Sequence, residues 1–329
     1  MKKVWLLVSI VLMLTGCGDT ENVPSKDDLK WAKWESTPEI YGGLEVLDRI
    51  RHAHDNKTPS LVLGQWKITE LTPLAGLLHL TDLDLGTNLI ENIKPLATLT
   101  KLEKLYLDSN QIATISILAD FSHLRVLDLH GNKISDPSPL EKLSELTFLN
   151  LNNNQIDDLA PLGELQKLNE LNLAQNKLTD ATHLSKLTNL TKLFLNNNKI
   201  DDLTSLGELQ KLNELNLAQN QLTDVTHLSK LTNLTKLFLS GNQLTQINAL
   251  SGLKKLTKLH LSKNRIIDIA PIKALSKLIE LNLVENQIDD VTPLAELQKL
   301  KKLNLSNNPI PDDQKALLRQ AMPKCKIIF

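Results

Sequence analysis

The sequence predicts an α/β repeat fold, a horseshoe-shaped solenoid with a parallel β-sheet on its concave face and short 3-10 or irregular segments on its convex face. Three observations predict it. Asparagine recurs without insertion every 22 residues, at Asn88, Asn110, Asn132, Asn154, Asn176, Asn198, Asn220, Asn242, Asn264, Asn286 and Asn308. Ahead of each lies an LxL pair such as Leu171 and Leu173, the period-two signature of a short strand with Glu170, Asn172 and Ala174 on its other face. Leucine dominates the apolar residues while aromatics make up 3% of the 329, which suits a core assembled repeatedly from one side-chain shape.

Residues 1–16 read as an export signal: Lys2 and Lys3 give a positive start, and the apolar run Val4 to Leu14 falls short of the roughly 20 residues a spanning helix needs. The end of that run, LTGC at Leu14 to Cys17, resembles the lipobox of bacterial lipoproteins. The resemblance implies a multiply acylated Cys17, palmitate among its chains, as the mature N-terminus. The protein would then be exported to the bacterial cell envelope and anchored to a membrane, facing the periplasm or the cell surface. An ordinary secretory signal with an accidental cysteine is the alternative. Residues 17–35 read as the lipidated N-terminus and tether, polar from Gly18 to Asp28, with Trp31 and Trp34 at helical spacing. Residues 36–57 read as an N-terminal helical cap: Thr37 before Pro38 marks a helix start, and Leu44, Leu47 and Ile50 share one face that can cover the first open end of the array.

Residues 58–310 carry the repeat. Around Asn88 stand Leu80, Leu83, Leu85 and Ile90, and around Asn308 stand Leu300, Leu303, Leu305 and Ile310; apolar residues follow most asparagines at five, eight and eleven positions, as at Ile93, Leu96 and Leu99. This frame resembles the leucine-rich repeat, in the 22-residue version shared by internalins and the leucine-rich regulatory subunit of protein phosphatase 1. Trp66 stands where the first coil's asparagine belongs, so about twelve coils are expected. A lone coil buries too few aliphatic groups to offset the ordering of its backbone, so the coils must stack. Each asparagine is expected to turn inward and bond the backbone of its own and the adjoining turn, because a buried amide is tolerated only when its hydrogen bonds are made. Four residues later runs an aspartate column, Asp136, Asp158, Asp180, Asp202, Asp224, Asp268, Asp290 and Asp312. Capping of short 3-10 turns is the simple account of it, and a calcium ladder is the rival. Residues 311–329 read as the C-terminal cap, a helix offering Leu317 and Leu318 to the core and a last edge strand at KIIF. Cys325, nearby, reads as a small buried apolar residue.

No catalytic motif rises above background: phosphate loops, HExxH, CxxC pairs and a G-x-S-x-G elbow are absent from the sequence. The chain is therefore expected to be no enzyme and to need no metal, cofactor or small-molecule substrate. His183 and His227 sit two coils apart, roughly 10 Å, too far to share one zinc ion. Removing residues 1–16 takes the net charge from −1 to −3, which gives no footprint for nucleic acid. What remains is the concave face. Its candidate partner-binding residues are Asp84, Tyr106, Asp128, His130, Phe148, Phe194, Phe238 and His260, four of them aromatics on outward-facing strand positions. Beside them runs a charged column in which Glu170, Lys192, Glu214 and Lys236 alternate in sign and can pair across strands. Residues 157–200 and 201–244 are near-copies, suggesting growth by a two-coil unit that lengthens a surface without disturbing a core. The expected function is a lipid-anchored scaffold that binds a protein ligand on the concave face. The alternatives are a regulatory subunit of an enzyme such as a phosphatase, or an adhesin-like surface protein resembling internalins.

Overall fold

The computed structural model describes residues 25–329; the export signal, Cys17 and most of the tether lie outside that range. Thirteen three-residue strands form one parallel sheet in strict chain order, from β1 (Ser60–Val62) and β2 (Asp82–Asp84) to β12 (Lys302–Asn304) and β13 (Lys326–Ile328). The register advances one coil at a time, so Leu83 stands opposite Leu105 and Leu281 opposite Leu303. This is the leucine-rich repeat horseshoe.

Each coil but the last puts the same seven positions inside. In one coil these are Leu171, Leu173, Leu178, Ala181, Leu184, Leu187 and Leu190, none more than 1% exposed. Burying one leucine contributes about 1.5–3 kcal/mol, so the stacked leucines are the main favourable term. On the convex side the chain turns through a 3-10 segment such as Thr182–Lys186. Its first N–H is met by the aspartate two residues earlier: Thr182 donates to Asp180 at 2.7 Å, Thr204 to Asp202 at 2.9 Å and Thr226 to Asp224 at 2.9 Å. Asp136, Asp158, Asp268 and Asp290 do the same. In two of the coils that lack the aspartate, Asn92 and Glu70 substitute, accepting from Lys94 and Thr72. Asp312 departs from the column. It opens the C-terminal helix and pairs with Lys315 at 2.9 Å, because the chain there leaves the repeat path.

Both ends differ in detail from the sequence expectation. The segment expected as tether holds a helix, α1 (Lys26–Glu35), started by a reciprocal capping box between Ser25 and Asp28. Trp31 anchors it with an edge-on contact to Trp34 at 4.8 Å and the Arg51 guanidinium 4.6 Å above its ring. The helix expected from Thr37 is a 3-10 turn, Pro38–Tyr41, and α2 (Leu44–Asn56) follows only after Gly42 and Gly43 at φ +90° and +100°. Gly42 is fixed by space as well as by φ, since a Cβ there would lie 2.8 Å from Ile68. The later start rotates the apolar face: Val46, Leu47, Ile50 and Ala53 are buried, while Leu44 is 44% exposed. At the other end α3 (Asp312–Ala321) buries Leu318 but leaves Leu317 40% exposed. Cys325 packs against the core half-buried, and burial pushes its thiol above the ordinary range. Among the described residues no helix is long and apolar enough to cross a membrane.

Candidate protein-binding face

The concave strands are held in place by the asparagine column behind them. Asn198 donates from Nδ2 to Leu195 O in its own coil and to Leu173 O in the coil before, both at 3.0 Å, and its Oδ1 accepts from Leu178 N–H at 3.0 Å. All eleven asparagines repeat the bond back to the preceding strand. All eleven also accept from the preceding bend. Even the degenerate first coil is gripped, since Trp66 N–H and Ile68 N–H both donate to Asn88. The tight bend has a cost. The residue before the asparagine is left-handed in coil after coil, for example Gln175 at φ +53° and Asn197 at +58°. Such a conformation costs an L-residue about 1–2 kcal/mol, which the amide bonds on either side offset.

Three side-chain rows cross the concave face. The first is charged and mostly paired: Lys104 reaches Asp82 at 2.7 Å, Lys192 reaches Glu170 at 2.8 Å and Lys236 reaches Glu214 at 2.9 Å. The Lys104 ammonium holds the Asp82 carboxyl below the usual carboxylate range, and Glu170 raises the Lys192 ammonium. Glu280 breaks the pattern. Burial pushes its carboxyl up, but hydrogen bonds from His260 at 2.8 Å and Lys258 at 3.1 Å outweigh this and leave it low.

The second row runs Val62, Asp84, Tyr106, Asp128, Asn150, Asn172, Phe194, Asn216, Phe238, His260, Asn282, Asn304 and Ile328 on successive strands. The candidate residues fall into two groups along it. Asp84, Tyr106 and Asp128 are direct neighbours, with His130 two residues beyond Asp128 and its N–H bonded to the Asp128 carboxylate at 3.0 Å. Phe148 lies one strand on but in the charged row, beside Val126 and Glu170. Phe194 and Phe238 flank Asn216, and Phe238 meets His260 edge-on at 5.0 Å. Asn150 and Asn172 separate the groups, so the eight residues do not form a single pocket. All eight are half-buried rather than fully exposed, because neighbouring strands shield their stems.

The third row contributes a group that the sequence analysis did not single out. Asp108 lies against Gly86 of the coil before, so closely that a Cβ there would be 2.5 Å from its carboxylate. Burial, then the neighbouring Asp128 carboxylate, push the Asp108 carboxyl above its ordinary value. Among the described residues no group of three or more histidine, cysteine, aspartate or glutamate side chains is placed to hold a metal ion.

Residues 101–265 match the leucine-rich repeat region family, and residues 254–296 and 296–313 match two further leucine-rich repeat families. No curated protein matches the chain. Among solved structures, an internalin (InlF) of Listeria monocytogenes is 32% identical over 88% of this chain and 89% of its own, with a TM-score of 0.84. Internalin C2 of the same organism is also 32% identical, over 57% of this chain and 83% of its own, at a TM-score of 0.56. A leucine-rich repeat protein of Leptospira interrogans is 27% identical over 82% and 83%, at a TM-score of 0.59. With its amide column, its parallel strands and these likenesses, the chain belongs to the leucine-rich repeat family and resembles the internalins.

Proposed function

We propose that the protein is a lipid-anchored scaffold of the bacterial cell envelope that binds a protein ligand on its concave face, through Asp84, Tyr106, Asp128, His130, Phe148, Phe194, Phe238 and His260. The observation that carries this reading is the pair Phe194 and Phe238. Large apolar rings on outward-facing strand positions gain nothing from the core, and they form the kind of anchor a partner's side chain covers. The lipid anchor rests on the LTGC sequence at Cys17 alone. Likeness to internalins favours a second, compatible reading, an adhesin-like surface protein whose ligand lies outside the cell.

Capture of envelope proteins on the purified chain tests the binding face. Phe194→Ser/Phe238→Ser should lose the captured partner, because removing such an anchor costs at least about 2 kcal/mol, or roughly thirtyfold in affinity. Undiminished capture would remove the aromatic face from the account. Cys17→Ser should release the protein from membranes; retention there would overturn the anchor.

A further inference from the structure

The C-terminal end of the concave face carries a recess that is charged differently from the rest. It measures about 300 Å³ and is lined by His260, Glu280, Asn282, Lys302, Asn304, Lys326 and Ile328, above the buried Leu281 and Leu303. Elsewhere on this face a lysine takes the carboxylate of the strand before it, as Lys192 takes Glu170 and Lys236 takes Glu214. By that rule Lys302 would take Glu280. But Glu280 has turned the other way, one oxygen to His260 and the other to Lys258. Lys302 therefore has no anionic partner among the described residues, and the next strand adds not a carboxylate but a second unpaired lysine, Lys326, directly opposite it. Like charges opposed across strands are destabilising, and an anion between them would relieve the repulsion.

The remaining walls also donate. The Oδ1 atoms of Asn282 and Asn304 accept from the backbone N–H groups of Val284 and Ser306, which fixes the amide orientation and leaves both Nδ2 groups without an acceptor among the described residues. Two ammonium groups and two amide donors thus line one recess whose single carboxylate is already engaged. At its rim Ile328 is 44% exposed. We infer that this recess binds an acidic–aliphatic polypeptide segment, one carboxylate side chain seated between Lys302 and Lys326 and a neighbouring aliphatic side chain against Ile328. Charge complementarity selects the carboxylate, and the exposed isoleucine selects its apolar neighbour. A flat anionic bilayer does not fit, since it cannot present one anion into a recess within the concave sheet. The inference rests on the reading of the concave face as a protein-binding surface and names the chemistry of one end of its ligand.

The test uses the purified full chain and a fluorescently labelled, end-blocked hexapeptide alternating leucine and aspartate, read by anisotropy. Binding is expected, weakening as salt is raised. Replacing the aspartates by asparagine should weaken it roughly tenfold or more, as should Lys302→Gln/Lys326→Gln in the protein. Both lysines are exposed and repel each other, so the double variant should unfold at or above the wild-type urea midpoint; Lys211→Gln/Lys255→Gln, which removes lysines bonded to asparagines, should bind like wild type. Equal binding of the asparagine peptide, unchanged binding by the lysine variant, or preferential capture of phosphatidylglycerol vesicles overturns the inference. Any of these results alongside loss of envelope-protein capture by Phe194→Ser/Phe238→Ser leaves the broader reading standing. Capture insensitive to the phenylalanines and the lysines alike removes both.

Discussion

An asparagine side chain has two donors and one acceptor, and Asn198 uses all of them on backbone, two bonds of the three reaching into the coil before it. Asn198→Ala leaves Leu173 O, Leu195 O and Leu178 N–H without partners in a site closed to water. The expected loss of unfolding free energy is about 2–4 kcal/mol, measurable by urea denaturation. Asn198→Asp keeps the acceptor but turns an oxygen toward two carbonyls, so it should be at least as destabilising at neutral pH. A loss under about 0.5 kcal/mol in both would mean the amide is ornamental, since that is the scale of an ordinary surface substitution. At this scale the ladder was legible because an amide recurring in an apolar frame has to be satisfied. Which coil it grips, and the left-handed residue ahead of it, come from stacking geometry. The turn of Glu280 away from Lys302 was hidden for a similar reason: the choice among Lys258, His260 and Lys302 is made by three-dimensional reach, not by phase.

Single elements show a second use of carboxyl groups. The 3-10 turns begin at aspartates whose carboxylates accept from a hydroxyl and a backbone N–H, at Asp180 with Thr182, Asp202 with Thr204 and Asp224 with Thr226. The hydroxyl bonds first, then the backbone bonds, hold all three carboxyls below the ordinary carboxylate value. A folded-state value below the unfolded one contributes stability that is present above the unfolded value, near pH 3.9, and is lost as pH falls through the folded one. The urea midpoint should therefore drop as pH falls below the unfolded carboxylate range, and drop less in Asp180→Asn/Asp202→Asn/Asp224→Asn, because an uncharged amide oxygen caps without titrating. Asn92 already caps in this way. Equal acid sensitivity in the triple variant would assign the loss to other carboxylates. Repeated elements like these could be read from sequence because phase fixes them. The N-terminal cap occurs once and could be read only in part: Thr37 before Pro38 looks like a helix start, yet Gly42 and Gly43 bend the chain and delay α2 to Leu44. The capping box at Ser25 was masked by a run that reads as polar tether.

The whole molecule is a row of neighbours. No coil contacts more than its adjacent coils through the sheet, so the sheet order is the chain order and the concave face is a ruled surface on which residue number gives position. That is why the fold was legible almost entirely while the candidate site was legible only as a face. Sequence phase placed Tyr106, Phe148, Phe194 and Phe238 on the concave side, but not the break at Asn150 and Asn172 between the two groups of candidate residues nor the recess at Lys302. The same additivity makes the central claim testable. Residues 157–178 differ from 201–222 only where Ala160, Pro161 and Lys177 are replaced by Thr204, Ser205 and Gln221. Excising residues 179–222 joins Leu178 to Thr223, restores the 22-residue phase, and recreates a junction that already exists at Leu222. Urea unfolding of that shortened chain is the most direct measurement. If stability resides between neighbouring coils, it unfolds cooperatively with a smaller m-value, in line with its smaller buried surface. A shortened chain without a cooperative transition would show that the array depends on its full length, contradicting the account.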